Sequence, residues 1–251
     1  MADIPIALQL YSIREEMAKD VPGTLTRVAE MGYDGVEFAG FFEHEPEELG
    51  ALCDDLGLGL AGAHIQVDAI AEFALQVTID SMIKLGNPYI VVPGLPEEMR
   101  DSVDAWKNTA YYFSTAVEKV NQQRLKLGYH NHAHEFQPMD GEIPWDIFFE
   151  NVSENVFGQL DVGHVIRAGQ DPVLYLKKYP GRSTTVHVKD FHPEREDILL
   201  GEGVADWDII FDLCETTGGT EWYIIEQETY PVPPMEAVET CLATAKQMLG
   251  R

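Results

Sequence analysis

Acidic, imidazole and amide side chains recur just after short apolar runs of this chain. They are Gln9 and Tyr11; Glu37; His64 and Gln66; His130, Asn131, His132 and Glu135; Asp161 and His164; His187, Lys189 and Asp190; and Glu226, Gln227 and Glu228. Each alone has a structural explanation, as a helix cap or the partner of a lysine. Together they form a ring of like charge that is costly unless a cation lies within it. Mixed carboxylate and imidazole donors suit Mn, Mg, Zn, Co or Fe, and the lack of cysteine in the set argues against a structural zinc site. One divalent metal ion is therefore expected. So held, it can chelate vicinal oxygens of a sugar or polyol, polarise a carbonyl and acidify the adjacent C–H. A carboxylate or histidine that removes and returns the proton gives isomerisation or epimerisation, and loss of a leaving group instead gives a dehydratase or lyase.

Such convergence needs a scaffold that brings many strand ends to one place. Eight short apolar or β-branched runs read as strands: 4–10, 34–38, 58–65, 88–92, 125–131, 156–161, 184–189 and 222–226. Strands buried on both faces have this composition. Between them the period becomes helical, as in the stripe Trp106, Ala110, Phe113, Val117, Val120 and the stripe Val238, Leu242, Ala245, Leu249. Pro22, Glu97 and Pro172 lie near proposed helix starts, and Gly32, Gly57 and Gly86 follow proposed helix ends. Repetition of βα units implies a parallel sheet, and eight of them imply a single α/β domain over 1–251, a (β/α)8 TIM barrel. An open doubly wound sheet is the alternative, but Tyr11-Ser12-Ile13-Arg14 after the first strand is not the glycine-rich turn of its dinucleotide-binding form. In a barrel, active groups lie at the C-terminal strand ends, where the polar residues fall.

The 45% hydrophobic content suffices for one large core. Three distant cysteines without CxxC spacing exclude a disulfide framework, and no basic segment followed by an apolar run opens the chain, so the cytoplasm is expected. No run is long enough for a membrane span. Seventeen basic against forty-three acidic residues give a net charge of −26, which repels phosphate backbones and disfavours nucleic acid as a partner. Adaptation to a salty cytoplasm explains the same charge without any partner. Gly201-Glu202-Gly203 before Asp206-Trp207 reads as a loop leading to a helix cap, with a phosphate cradle as the weaker alternative.

The motifs 8–14 (LQLYSIR), 31–38 (MGYDGVEF), 128–132 (GYHNH) with Glu135-Phe136, 160–164 (LDVGH), 186–190 (VHVKD) and 225–227 (IEQ) carry a family resemblance over nearly the whole chain. In this order and spacing the sequence resembles the xylose-isomerase-like barrels, a superfamily of sugar isomerases, epimerases, inosose dehydratases and apurinic-site endonucleases. The resemblance implies a metal held by Glu135, Asp161, His187 and Glu226. Many relatives carry a glutamate on strand five itself, where this chain has His130, so either Glu135 reaches back from the loop or His130 or His132 takes its place. The base is correspondingly open between the carboxylate pair Glu135 and Glu226, which is preferred, and the histidines His130 and His132. Gln9, Tyr11, Glu37, His64, His164 and Lys189 are assigned to the substrate, with His164 as readily a brace for its loop. His44 and His192 read as solvated loop residues.

The expected activity is that of a metal-dependent sugar or sugar-phosphate isomerase or epimerase, with a keto-sugar or inosose dehydratase or keto-glycoside lyase as the alternative. An apurinic-site endonuclease conflicts with the acidic surface, and a non-catalytic sugar-binding barrel with the intact donor set. The expected partner is a small sugar or polyol, with a homo-oligomer left open.

Overall fold

The computed structural model describes residues 3–251. Eight strands, β1 (Ile6–Gln9), β2 (Gly35–Ala39), β3 (Gly59–His64), β4 (Tyr89–Val92), β5 (Lys126–His130), β6 (Val156–Asp161), β7 (Thr185–Val188) and β8 (Trp222–Ile225), close a barrel in sequence order. Every neighbouring pair is parallel, and β8 returns to β1. All eight fall on the runs expected from the sequence, with β2 running one residue further, to Ala39.

Alternation along each strand divides the residues between two cores. Outward residues such as Leu8, Val36, Ile90, Leu127, Val186 and Ile225 join the large cluster under the helices, which includes Trp106, Phe113, Val117, Val238 and Leu242. Inward residues at the N-terminal end form small apolar groups: Ala7, Ala61 and Ile224, and Tyr89, Val91 and Phe157, with Trp222 against both. Trp222 reaches across because the barrel wall there is glycine; a Cβ on Gly35 or Gly59 would stand 2.8 Å from its ring. This plug closes one end and leaves the polar residues at the other.

Helix punctuation follows the expected chemistry with one exception. Asp20 caps Val21–Met31 with Pro22 in its first turn, and Gly32 ends that helix at a left-handed φ of 89°. Pro172 opens Pro172–Lys178, and Gly57 and Gly86 end their helices in the same left-handed conformation. Glu97 is the exception, for it begins a single 3-10 turn, Glu97–Met99, while the long helix Val103–Gln122 starts after Ser102, whose hydroxyl accepts from the Ala105 amide. A better cap five residues on determines the start. Among the described residues, no helix is long and apolar enough to cross a membrane, and Cys53, Cys214 and Cys241 are buried free thiols.

Candidate metal centre and its cavity

Strand register assembles the centre. Pairing aligns Gln9 with Glu37, His130 with Gln159, Gln159 with Thr185, and Asp161 with His187. These inward positions, with Glu226 just after β8, meet on the barrel axis. His130, Asp161, His187 and Glu226 are all buried and each offers a donor atom within 4.8 Å of the others.

The donors of this group are oriented from behind. Asp161 ends β6 and caps the helix Val162–Arg167, so its Oδ1 accepts from the His164 amide at 2.7 Å. Its Oδ2 is buried with no hydrogen-bond partner among the described residues, 3.8 Å from His187 Nδ1 and 3.9 Å from Lys189 Nζ. A buried carboxylate oxygen left unpaired is costly, and a cation would satisfy it. His187 donates from Nε2 to Glu37 Oε2 at 2.7 Å, which leaves Nδ1 facing Asp161 and, at 3.0 Å, Glu226 Oε2. A carboxylate behind an imidazole is the usual outer support of a metal-binding histidine. Two carboxylates and two imidazoles, one so supported, fit a divalent ion of the Mn, Fe, Co or Zn type.

Burial opposes charge on every member, and the balance differs between them. It raises the Glu226 carboxyl, but Lys189 and then His187 outweigh it and hold that group well below the usual carboxylate range. Glu37 is lowered in the same way by His64 and His187. For His187 burial is overcome by Glu37 and Glu226, and its pKa rises to about 10. His130 has no adequate anionic partner, so burial, with His187 next, pushes it well below the ordinary value and keeps it neutral. His132 is lowered too, by burial and then by His164.

Glu135 does not join the group. It lies in the 3-10 turn His134–Phe136, fully buried, with Oε1 accepting from the Tyr129 hydroxyl at 2.5 Å and Oε2 from the His132 amide at 2.8 Å. His134 Nε2 stands 2.8 Å from Oε1. Its place among the donors is taken by His130, at the end of β5 itself.

A cavity of about 760 Å³ opens above the donors, with Tyr11, His64, His130, His132, Glu226 and Glu228 in its wall. Tyr11 is 43% exposed there and lies under the Arg14 guanidinium. A neighbouring cavity of about 550 Å³ shares His132 and Glu228 and adds His164 and Arg167. Lys189 is buried beside both, bonded to Glu228 and 3.2 Å from His164 Nε2. Burial disfavours its charge, but Glu226 and Asp161 raise its pKa. Gln9 and Glu37 are fully buried and bonded to each other at 2.7 Å, so they support the donors from behind rather than line the cavity. His64 does both, for its Nε2 is 2.8 Å from Gln159 Oε1.

Asp190 belongs to a different structure. Its carboxylate accepts from the amides of Phe191, Gly201, Gly203 and Ala205 and from the Trp207 indole. The glycine loop weighed as a phosphate cradle is thus filled by this chain's own anion, and the cap reading of Asp206 holds, since it accepts from Ile209 N. The residues that sequence reasoning passed over are Gln159, Thr185 and Tyr129. A glutamine inside an otherwise apolar strand, VFGQLD, was the available signal for the first.

The model of a family described as Xylose isomerase-like TIM barrel matches residues 25–247. An inosose dehydratase of Geobacillus kaustophilus (strain HTA426) is 25% identical over 261 residues, covering 84% of each chain. Among solved structures, a sugar phosphate isomerase/epimerase from Parabacteroides distasonis ATCC 8503 superposes with a TM-score of 0.83 at 26% identity, covering 97% of this chain and 93% of that one. An IolI protein with a bound zinc atom shares the fold at a TM-score of 0.79 and 15% identity, covering 98% of each chain.

Proposed function

Because the chain belongs to the xylose isomerase-like TIM barrel family, we propose that it is a divalent-metal-dependent sugar isomerase that removes a proton from the carbon next to a carbonyl. The observation that carries this reading is the buried, unpartnered Asp161 Oδ2, grouped with His187, His130 and Glu226, the last two of which line a cavity large enough for a sugar. The zinc of the IolI protein and the names of the relatives point the same way.

His130, Asp161, His187 and Glu226 would hold the metal, with Glu37 fixing His187 from behind. When bound, the ion supplies Lewis acidity toward the carbonyl and hydroxyl oxygens of the substrate. His132 faces the cavity and is neutral, so it is the group placed to take and return the proton. His164 and Lys189 lie on the same side, where the ammonium can donate to a substrate oxygen. Tyr11 and His64 line the same cavity and would hold the sugar ring or chain.

The tethering of Glu135 bears on the outcome. Inversion by two carboxylates on opposite faces would need Glu135 free, whereas a single base on one face suits aldose–ketose isomerisation, in which one group moves the proton between adjacent carbons. It equally suits elimination from the same carbanion, and the similarity to inosose dehydratases gives a keto-sugar dehydratase or lyase as the second reading. Metal-stripped and metal-reloaded protein offered aldoses, ketoses, their phosphates and inososes in deuterated water decides. Turnover that returns with metal and places deuterium in an isomerised product is expected; an eliminated product establishes the second reading, and no C–H exchange with any of them rejects both.

A further inference from the structure

We propose that Gln159 is a positioning residue whose amide, held in one orientation by Glu37, fixes the tautomers of His130 and His64 and thereby presents His130 Nε2 to the metal-binding group. The clause about the metal rests on the reading above; the tautomers do not.

Gln159 lies in the middle of β6, fully buried, at the level of His130 on one side and Thr185 on the other. Its Nε2 is 2.6 Å from Glu37 Oε1 and 2.9 Å from Thr185 Oγ1. An ionised carboxylate accepts and never donates, so the amide nitrogen must be the atom that faces Glu37. The amide oxygen then points the other way, at 2.8 Å from His64 Nε2 and 3.1 Å from His130 Nδ1. A carbonyl oxygen only accepts, so both of these ring nitrogens must carry hydrogen. A neutral imidazole has one N–H, so the lone pair of the neutral His130 falls on Nε2, and that of a neutral His64 would fall on Nδ1. The first is the nitrogen of His130 left for the donor group. The second is an acceptor for a substrate hydroxyl, since His64 stands in the cavity wall. Glu37 also accepts from His187 Nε2, so one Glu37–Gln159 pair sets three imidazoles. Close packing makes the pair possible: a Cβ on Gly62 would lie 2.5 Å from Glu37 Oε1, and a register shift after Val36 brings Gly62 opposite Glu37.

The test uses full-length protein with Gln159→Met, Gln159→Glu and the exchanged pair Glu37→Gln/Gln159→Glu. The exchanged pair keeps every bond: the glutamine at 37 donates to the glutamate at 159 and accepts from Gln9 and His187, while that glutamate accepts from His64 and His130. Histidine ring 15N shifts of the metal-free proteins report the tautomers, and visible absorption of added cobalt(II) reports the donor group. Wild-type protein should show the Nδ1–H form of His130. Gln159→Met should lose that single form and weaken cobalt binding by roughly 10–100-fold, the usual effect of removing an outer support. The exchanged pair should recover both relative to Gln159→Glu. The proposal is overturned by a folded Gln159→Met with unchanged His130 tautomer and cobalt affinity. If that variant does not fold, an exchanged pair no better than Gln159→Glu overturns it as well. Wild-type protein that shows the expected tautomer but binds no cobalt counts against the metal reading alone.

Discussion

The Tyr129 hydroxyl donates to Glu135 Oε1 at 2.5 Å, and this bond ties the carboxylate to the outer core rather than to the barrel axis. Tyr129 is fully buried among Trp106, Phe113, Trp145 and Phe148, so its hydroxyl needs a buried acceptor. Glu135 provides it and, through Oε2, braces the loop that carries His132. Glu135→Gln should therefore leave bound metal unchanged while lowering stability by about 1.5–3 kcal/mol, the range for hydrogen bonds to a charged group. Metal analysis beside thermal melting checks this, and loss of the metal would return Glu135 to the donor set.

Removing a member of the proposed donor group should have the opposite signature. Asp161→Ala, His187→Ala and Glu226→Ala should each lose most of the bound metal, and chelation should lower the melting temperature of the wild-type protein, because an ion that binds the folded state stabilises it. The variants should melt at a temperature insensitive to chelator. A Glu226→Ala protein that retains metal and turns over normally would show that the centre lies elsewhere.

Without metal, His187 holds its proton to about pH 10 because Glu37 and Glu226 outweigh its burial. A folded-state pKa raised above the unfolded value of ~6.5 contributes stability that is complete below ~6.5 and is lost as pH rises through about 10. The metal-free protein should thus melt progressively lower from neutral pH to pH ~10. Metal replaces that proton, so the loaded protein should show a smaller slope; equal slopes would mean that His187 does not face the ion.

The eight strands were legible because parallel barrel strands are buried on both faces and read as apolar runs between helical stripes. That Asp161, His187 and Glu226 lie together was legible because each stands at or near the C-terminal end of such a run, and strand ends converge in a barrel. Glu135 was not, since its destination depends on Tyr129, which looks like an ordinary core aromatic in sequence. Gln159 escaped for a related reason: its function is to satisfy four groups from other strands, and register alone brings them to it. Gln9 ends β1 and Glu37 stands mid-way along β2, and both are fully buried beneath the cavity.

The acidic surface makes its own prediction. A net charge of −26 on one barrel is self-repelling, and salt screens such repulsion over ~10 Å at 0.1 M. The melting temperature should rise from low to molar NaCl, and binding to abasic duplex DNA should be undetectable at physiological salt. A flat or falling melting temperature would remove the case for a salt-adapted surface.

The base is the most discriminating matter for the chemistry. Glu226 is held well below the usual carboxylate range, with burial opposed by Lys189 and His187, and is a poor proton acceptor in consequence. His132 combines what a base needs: a place in the cavity wall and a neutral ring. Burial first, and then His164, set its pKa below the ordinary value of ~6.5, so activity should be level at neutral pH and fall only as acid protonates it. The acidic limb should move or vanish in His132→Gln, and exchange of the substrate C–H with solvent deuterium should drop by roughly 10²–10⁴-fold, the usual contribution of a positioned base. Metal content should stay at the wild-type level, because His132 is outside the donor group of His130, Asp161, His187 and Glu226. Glu226→Gln, in contrast, should lose exchange and metal together. Full exchange in a metal-loaded His132→Gln protein would reject the histidine and leave Glu228, the acidic residue that lines both cavities, as the next base to test.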